Sequence, residues 1–535
     1  MERFFNNISY HGLVVDALMI VTSSAMLAMM FPGVSWPALA WVALVPLLLQ
    51  IFRSGYTEAI LSAFLVGFLF FISLMGWTIR LEELDLFRFC VLGFYLAAFF
   101  GLFGALAKYF HNRLPAWDAL TFPSIWVSIE YLKSNIGFLS FPPGILGYSQ
   151  YQVLPVAGIA SFTGVYGVSF AIVAVNGALA SIVWCFITHH KSRGAESTEL
   201  IRSLFIPCCS ILLFISVFFV RNIPTSQPAL TTRAINIALV QGNAVVTDKH
   251  GYEQYMRNVF PIYEKLTLQS TATGPSLVVW PSASVPGVIP IDRKMVGLVS
   301  EIARKNGVHL LIGAAGLDKF NAEQVRARRV ANSAFLFSPT GAIIGRYDKI
   351  HLLPFDEYLP ARDYISWPSW IVAPGMTDHY PGKKLTVFQA GQTRFGVQIC
   401  YENMFPDQFR QLVANGADFV VGQTNELWTK SEAAQYQNLA YYVFRAIENG
   451  VPVVRSSTNG VSCIIDANGR IVSSVKNHDG REVNVAGFST AKVNIGAEKS
   501  FYNHFGDLLI WACLSFILMM GLYGFFRKVH EPVHA

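Results

Sequence analysis

The chain has 535 residues, of which 53% are hydrophobic and only 14% are charged, and its mean hydropathy is +0.42. Soluble proteins average about 45–50% apolar and about 25% charged residues, so the composition excludes a fully soluble protein and indicates segments that lie in lipid. The net charge of +6 comes without zinc-type Cys/His spacing, a Walker loop or a Rossmann glycine fingerprint. The sequence therefore predicts no nucleic-acid binding, no metal and no cofactor.

Long apolar runs fill the first 220 residues and recur once near the C-terminus. A helix needs about 20 apolar residues to cross the hydrocarbon core of a bilayer. The sequence therefore predicts eight spans, near 13–31, 35–52, 57–77, 87–109, 116–132, 161–187, 203–220 and 505–526. They divide the chain into a transmembrane bundle of seven helices (1–220), a soluble domain (221–504), and an eighth helix with a short tail (505–535).

Basic residues between the spans predict the orientation, because cytoplasmic loops of membrane proteins are enriched in Lys and Arg. With the N-terminus in the cytoplasm, the inside set is Arg3, Arg53, Lys108, Arg113, Lys191, Arg193, Arg202, Arg527 and Lys528, and the outside set is Arg80, Arg88 and Lys133. Residues 221–504 then lie outside. In a Gram-negative cell this predicts a multi-pass protein of the inner membrane with its soluble domain in the periplasm.

The outside loop before the sixth span, LSFPPGILGYSQYQ (139–152), is unusually apolar and aromatic for a connection in water. Two interpretations are open. The Pro-Pro-Gly sequence permits a re-entrant or interfacial path, and the alternative is an ordinary loop that follows the surface.

Residues 233–497 follow the pattern of a soluble α/β domain. Short β-branched runs indicate buried strands, namely INIALVQ (235–241), SLVVW (276–280), HLLIGA (309–314), RFGVQIC (394–400), DFVVGQ (418–423) and VPVVRS (451–456). Helix-like segments lie between several of them, near 251–267, 292–306, 405–415 and 431–449. Strands that alternate with helices predict a domain packed around a sheet core.

Three polar residues in apolar surroundings are candidates for chemistry. Cys400 ends a strongly apolar strand, where a side chain can be presented to a site, although a cysteine in such a place is more often core filler. A nucleophilic cysteine needs a base or a cation nearby to form its thiolate. Lys349 and Glu357, in RYDKIHLLPFDEYLP (346–360), could supply those charges or could simply form a structural ion pair.

Five segments together resemble the carbon–nitrogen hydrolase (nitrilase) superfamily: QGN (241–243), WPSASVP (280–286), YDKIHLLPFDEYLP (347–360), ICYENMFPD (399–407) and RSSTNG (455–460). The eight spans, together with FPPGILGYSQ (141–150), TGVYGVSF (163–170) and RAIENGVPVVRSSTNGVS (445–462), make the whole chain similar to the membrane-embedded apolipoprotein N-acyltransferase family of that superfamily. The resemblance implies a membrane α-helical bundle of about eight helices plus an α/β nitrilase-like αββα sandwich.

The resemblance also implies a Glu–Lys–Cys triad. Cys400 matches the nucleophile, Lys349 matches the lysine that stabilises the oxyanion, and Glu357 matches an additional glutamate. The glutamate that acts as base falls in the segment WPSASVP, at position 282, where this chain has Ser282. Between Pro281 and Asp292 the chain offers no carboxylate in its place.

Further residues are expected to bind substrate. Tyr401 and Glu402 match family residues that follow the nucleophile, and Trp428 lies in the segment WTK (428–430). With the loop 139–152 and WPSWIVAPGM (367–376), that segment could admit an acyl chain while excluding water. His351, beside the lysine, could be imagined as a replacement base, but a packing or surface role is the favoured interpretation.

Ser282 leaves three explanations. A serine hydroxyl cannot act as a general base near neutral pH, and the loss of proton transfer typically costs about 10²–10⁴-fold in rate. The chain could be a native paralogue that uses Glu357 or a water as the base. It could also be an engineered variant whose base was removed, or a protein that lost catalysis and kept binding.

The implied reaction is a two-step acyl transfer. Cys400 takes an acyl chain from a phospholipid as a thioester and passes it to the amino group of the N-terminal diacylglyceryl-cysteine of an apolipoprotein. We expect a monomer whose partners are membrane lipids, the phospholipid donor and the apolipoprotein acceptor. The alternatives are a lipid- or lipoprotein-binding protein with a disabled site, and a membrane-tethered amidase, which gives no reason for eight spans.

Overall fold

A computed structural model describes residues 10–80, 85–191, 233–244, 251–317, 329–368, 370–372 and 378–530. The chain divides into two compact units, one formed by residues 1–79, 84–225 and 507–535 and the other by residues 80–83 and 226–506. We call them the helical unit and the sandwich unit. The predicted domain limits at 220 and 504 stay a prediction, since residue 220 lies outside the described residues.

The helical unit is built from apolar helices. Those that are described are α1 (Tyr10–Met29), α2 (Val45–Arg53), α3 (Tyr56–Leu74), α4 (Leu86–Arg113), α5 (Asp118–Asn135), α6 (Leu154–Ala157), α7 (Ala160–Thr163), α8 (Val165–Lys191) and the C-terminal helix Leu508–His530. Among them, five contain windows long and apolar enough to cross a membrane: Gly12–Met29, Tyr56–Leu74, Leu86–Arg113, Val165–Thr188 and Leu508–Phe526. They correspond to five of the eight predicted spans.

The second predicted span, 35–52, is not one continuous helix. It consists of a 3₁₀ turn (Pro37–Trp41) followed by α2. Asn176 of α8 stabilises the chain at this break. Its Oδ1 accepts from Leu44 N at 2.8 Å, and its Nδ2 donates to Ala40 O at 2.8 Å. The side chain thus replaces hydrogen bonds that a continuous helix would make within itself.

The fifth and seventh predicted spans also differ from the five long apolar helices. The fifth, 116–132, is helical as α5, but this helix buries the charged residues Asp118, Glu130 and Lys133 and is less apolar than a typical span. The seventh, 203–220, lies outside the described residues. The count of eight spans is therefore not confirmed.

The loop 139–152 is packed inside the helical unit. Residues 142–151 are buried. Lys133 Nζ donates to Phe141 O and Pro143 O, each at 2.7 Å, and Glu130 Oε1 accepts from Leu146 N at 2.9 Å. Irregular backbone within a membrane protein is tolerated where the protein itself satisfies its polar groups. The burial of residues 142–151 argues against a loop that follows the surface, and the re-entrant or interfacial path stays a prediction.

The sandwich unit contains two mixed sheets. The strands are β1 (Arg233–Gln241), β2 (Leu277–Val279), β3 (Val285–Ile289), β4 (His309–Gly316), β5 (Ala331–Phe337), β6 (Ile343–Asp348), β7 (Val387–Ala390), β8 (Thr393–Ile399), β9 (Phe419–Thr424), β10 (Val453–Ser457), β11 (Cys463–Ile465), β12 (Ile471–Ser474) and β13 (Gly487–Ile495). The helices are α9 (Gly251–Asn258), α10 (Phe260–Thr271), α11 (Arg293–Asn306), α12 (Pro406–Ala414), α13 (Glu432–Asn449) and α14 (Phe501–Phe505). All six predicted strands are present, as β1, β2, β4, β8, β9 and β10.

The first sheet has the order β13-β1-β2-β4-β5-β6, with β3 beside β4, and the second has the order β12-β11-β10-β9-β8-β7. Their inner faces form one core, to which Leu239, Leu311, Ile399 and Val421 belong. Residues of opposite parity, such as Val240, belong to a second core that the first sheet makes with its helices. Helices outside two packed sheets give the predicted αββα sandwich.

Strand direction brings the predicted site residues to sheet edges. In the second sheet, β8, β9 and β10 are parallel, so their carboxyl ends lie at one edge. In the first sheet, β2 and β4 are parallel, and two antiparallel steps through β5 give β6 the same direction. The carboxyl ends of β2 and β6 therefore share an edge.

Candidate active site

Cys400 stands where β8 ends. Cys400 is the first of five residues that form a 3₁₀ helix, Cys400–Met404, and it has φ of +51°, in the left-handed region that residues other than glycine rarely adopt. Such strained conformations persist where the surrounding structure enforces them, often at functional sites. The side chain is half-buried. The backbone thus leaves strand geometry at Cys400, whose side chain packs partly against the inner core. Its role as the nucleophile stays a prediction.

Lys349 follows β6 and forms a buried ion pair. Its Nζ donates to Glu357 Oε2 at 2.5 Å, and the lysine is 1% exposed. The same carboxylate oxygen accepts from Leu353 N at 2.8 Å. The turn before Glu357 contains Phe355 with φ of +67°, so that this residue, like Cys400, has a left-handed backbone conformation. The structure therefore brings together the two charged residues that the sequence placed eight positions apart.

The charges of this pair act on the thiol. Burial raises the pKa of Cys400 to about 11, the Lys349 ammonium opposes that rise, and the carboxylates of Glu357 and Glu426 add to it. Burial lowers the pKa of Lys349, but the Glu357 carboxylate and the Cys400 thiolate outweigh burial, so its pKa is raised. For Glu357, burial raises the pKa, and Lys349 more than reverses this. Both members of the pair are charged at neutral pH, whereas the thiol is mostly protonated.

Ser282 lies in the segment that follows β2. It is buried, and its Oγ donates to Asn332 Oδ1 at 3.5 Å, a long hydrogen bond. The backbone of Asn332 accepts from Lys349 N at 2.8 Å, so that Asn332 joins the serine to the lysine segment. Within the described residues, the thiol has Glu357 and Glu426 as the carboxylates that raise its pKa, and none comes from the segment of Ser282.

The edge of the first sheet meets that of the second through Gln423. This residue pairs with Ile399, directly before the nucleophile, and its Nε2 donates to Trp280 O at 2.6 Å, two residues before Ser282. The predicted positions 282, 349 and 400 are thus connected by hydrogen bonds around one site. Sequence reasoning missed Gln423 and Asn332, because nothing in their local sequence marks them.

Glu402 ties the nucleophile to the lysine segment. Its Oε2 accepts from Ile399 N at 2.8 Å, and its Oε1 accepts from Ile350 N at 2.7 Å and from His351 N at 3.1 Å. Tyr347 Oη and Gln408 Nε2 donate to the same Oε1, and the side chain is fully buried. Both oxygens are occupied within the protein. This position points to a residue that fixes the spacing of Cys400 and Lys349. Substrate binding by Glu402 stays a prediction.

The remaining predicted residues differ in exposure. Tyr401 is buried and packs edge-to-face on Phe405, with ring centroids 5.2 Å apart. Trp428 lies in a 3₁₀ turn, Leu427–Thr429, and is 44% exposed. The His351 ring stacks on Phe405 at 4.5 Å, which supports a packing role for this histidine. Substrate binding by Tyr401 and Trp428 stays a prediction.

The fold and site define a class of protein. The family model for carbon–nitrogen hydrolases matches residues 236–494, which span β1 to β13 and include Ser282, Lys349 and Cys400. Two solved structures are similar to about half of the chain. An amidase from Nesterenkonia is 18% identical with a TM-score of 0.36, covering 50% of this chain and 94% of its own, and a nitrilase-superfamily member from Saccharomyces cerevisiae is 20% identical with a TM-score of 0.37, covering 50% and 93%.

The helical unit specifies the family within that class. The model for the apolipoprotein N-acyltransferase N-terminal domain matches residues 23–178. The apolipoprotein N-acyltransferase of Geobacter metallireducens is 32% identical over 96% of both chains, and that of Haemophilus influenzae is 25% identical over 92% of both chains. The chain belongs to the apolipoprotein N-acyltransferase family, a membrane family of acyltransferases in the carbon–nitrogen hydrolase superfamily.

Proposed function

We propose that this chain transfers an acyl chain from a phospholipid to the N-terminal diacylglyceryl-cysteine of apolipoproteins through a thioester on Cys400. The observation that carries the proposal is the buried Lys349–Glu357 ion pair, whose ammonium favours a thiolate at a cysteine turned out of its strand. Family membership supports the same reaction, because the relatives are named for it.

The first half-reaction forms the thioester. The Cys400 thiolate attacks the sn-1 ester carbonyl of the phospholipid, and the negative charge that develops on the carbonyl oxygen is stabilised by the Lys349 ammonium. Collapse of the tetrahedral intermediate breaks the bond to the glycerol oxygen. That oxygen takes up the proton that the thiol lost, and a lysophospholipid leaves.

The second half-reaction forms the amide. The α-amino group of the acceptor, in its neutral form, attacks the thioester carbonyl, and Lys349 stabilises the oxyanion again. The carbon–sulfur bond then breaks, the amine loses a proton, and Cys400 returns as the thiol. Tyr401 and the exposed ring of Trp428 are proposed to contact the lipid part of the substrates, and the aromatic segment near 367–376 to exclude water that would hydrolyse the thioester.

Because Ser282 occupies the position of the family's base, another group must accept the proton that the Cys400 thiol loses. We propose Glu357, directly or through a water, because it is ionised beside Lys349 and its charge acts on the thiol. Its Oε2 already accepts two hydrogen bonds, which makes it a weaker base than a free carboxylate. We therefore expect acylation to be slower in this chain than it would be with a carboxylate at position 282.

A second candidate function is favoured by Ser282 itself. A chain without a competent base could bind phospholipid and lipoprotein and turn them over little. The membrane-tethered amidase has no such support, since small soluble amides require no helical unit.

We further propose that the protein lies in the inner membrane as a monomer, with residues 221–504 in the periplasm. The distribution of Lys and Arg around the apolar runs supports this orientation. Both substrates are anchored in a bilayer, so a domain with an apolar run of sequence on each side would meet them at the membrane surface.

Complementation tests the function. A strain depleted of its own apolipoprotein N-acyltransferase would receive this chain, its Ser282→Glu variant or its Cys400→Ala variant. The proposal predicts growth with the first two and none with the third. Growth with Ser282→Glu alone would favour the binding protein, and growth with Cys400→Ala would contradict the thioester mechanism.

A further inference from the structure

A fully buried ion pair lies next to the predicted site residues. Arg455 Nη2 donates to Glu426 Oε1 at 2.6 Å, and the two side chains are 0% and 1% exposed. Arg455 belongs to β10, and Glu426 follows β9, the strand between β10 and β8. Burying two charges costs desolvation, and replacing such a pair by apolar residues often leaves a protein equally stable. Stability alone therefore does not account for the pair.

The Glu426 carboxylate has one defined position. Its Oε2 accepts from Ser457 Oγ at 2.9 Å, and that hydroxyl oxygen accepts in turn from Gly460 N at 2.9 Å. A Cβ on Gly460 would lie 1.7 Å from Glu426 Oε2, so the backbone packs directly against the carboxylate and leaves no room for a side chain. The other end of the guanidinium is fixed as well, because Arg455 Nη1 donates to Val461 O.

The backbone of Glu426 starts the turn that carries Trp428. Its carbonyl oxygen accepts from Thr429 N at 3.1 Å and from Thr429 Oγ1 at 2.9 Å, which closes the 3₁₀ turn Leu427–Thr429. The ion pair thus fixes the buried residue Glu426, at which the turn starts. The exposed ring of Trp428 belongs to that turn.

The same carboxylate is part of the charge environment of Cys400. The titratable groups that face the thiol from the surrounding elements are Lys349, Glu357, Glu426 and Tyr442, and its own 3₁₀ helix contributes Tyr401 and Glu402. Lys349 Nζ lies 2.5 Å from Glu357 Oε2 and offsets the charge of this carboxylate. Arg455 does the same for Glu426, so each carboxylate that acts on the thiol has a cation of its own.

We propose that Glu426 and Arg455 are positioning residues for the acyl-transfer site: the pair holds the Trp428 turn in place, and Arg455 balances a carboxylate that would otherwise oppose a thiolate at Cys400. The inference rests on the proposed role of Cys400 as nucleophile. It does not require that either half-reaction is fast.

The test measures the reactivity of Cys400 in the full-length protein in detergent. Iodoacetamide reacts with the thiolate, and well below the pKa of a thiol the thiolate fraction changes ten-fold for each pH unit. Alkylation of the Cys400 peptide would be followed by mass spectrometry at several pH values between about 7 and 9. The variants are Glu426→Gln and Arg455→Met, and the control is Arg481→Met, which removes a cation from an exposed pair with Glu432 at 3.0 Å.

The two variants are expected to shift the rate in opposite directions. Glu426→Gln keeps the size of the side chain and removes its charge, so alkylation speeds up about three-fold or more, which corresponds to about half a pKa unit. Arg455→Met leaves the carboxylate unbalanced, so alkylation slows by a similar factor. The double variant removes both charges and returns close to the wild-type rate, and Arg481→Met leaves the rate unchanged.

Unchanged rates in both single variants, or shifts in the same direction, would overturn the proposed role. If either single variant fails to fold, the double variant and Arg455→Lys carry the test, since both avoid a lone buried charge. A double variant that differs from wild type as strongly as a folded single variant also contradicts the proposal. Opposite shifts without any acyl adduct on the wild-type protein would refute the proposed acyl transfer and leave the positioning pair standing.

Discussion

The substitution Lys349→Met tests the charge that the site depends on. Methionine matches most of the length of the lysine side chain and removes the ammonium that offsets burial at Cys400. It also leaves the Glu357 carboxylate with Leu353 N as its remaining donor among the hydrogen bonds described above. We expect the pKa of the Cys400 thiol to rise above its value of about 11, because burial and the carboxylates of Glu357 and Glu426 all disfavour the thiolate.

The size of the effect follows from the pKa. At pH 8, a thiol with a pKa of about 11 is about 10⁻³ thiolate. A cation close to an ionisable group is worth about one to three pKa units, so its removal should slow alkylation of Cys400 about 10-fold to 1,000-fold. Protonation of the unbalanced Glu357 would place the loss toward the lower end of that range.

The assay compares alkylation rates of the Cys400 peptide across a pH series. Lys305→Met is the matched control, since Lys305 pairs with Glu301 at 3.3 Å on the exposed face of α11. The double variant Lys349→Met/Glu357→Gln should recover part of the lost rate, because it also removes the carboxylate that opposes the thiolate. An unchanged rate in Lys349→Met, or a double variant slower than the single one, would refute the electrostatic role assigned to this pair.

Three further predictions concern other parts of the molecule. Ser282→Glu should raise the rate of acylation about ten-fold or more, as followed by the mass of the adduct, if position 282 is the vacated place of the base; no gain would contradict that assignment. Glu402→Gln replaces one of the two accepting carboxylate oxygens with an NH₂ group, which cannot accept from a backbone N–H. This should cost about 1.5–3 kcal/mol in the stability of the sandwich unit and slow adduct formation; equal denaturation curves and rates would argue against the role of Glu402 in spacing Cys400 and Lys349. Lys133→Met frees two loop carbonyls inside the helical unit and should lower the thermal transition of the protein in detergent, whereas an identical transition would show that the loop does not need the lysine.

The strands that the sequence predicted share a physical property: they are buried on both faces. β1, β8, β9 and β10 read as continuous apolar runs because one face packs against the other sheet and the opposite face packs against helices. Strands at sheet edges, such as β12 with exposed Ile471 and Val472, lack that signature. Their place is decided by pairing with a neighbour distant in sequence, which local pattern does not encode.

In the helical unit, too, features that depend on residues distant in the chain could not be predicted from the local sequence. Long apolar helices were predictable from length and hydropathy. The break in the second span depends on Asn176, which is more than 130 residues away in the chain from the backbone groups that it binds. The buried charges of α5 depend on a loop that folds back onto them.

At the site, the residues that carry the reaction were more predictable than the residues that hold them in position. Cys400 and Lys349 could be proposed because their residue types carry the reaction, and the resemblance joined them. Glu402 was expected to bind substrate because it follows the nucleophile, and its hydrogen bonds to distant backbone groups could not be foreseen from the sequence. Arg455 did leave a signal, since an arginine inside the apolar run VPVVRS needs a buried partner, but that run does not identify Glu426.

The most direct measurement is the intact mass of the purified full-length protein after incubation with phospholipid. A thioester on Cys400 predicts a gain of one acyl chain in the wild-type protein, faster accumulation in Ser282→Glu, and no gain in Cys400→Ala. An adduct that survives in Cys400→Ala, or no adduct in either the wild-type protein or Ser282→Glu, would contradict the role of this cysteine as the nucleophile.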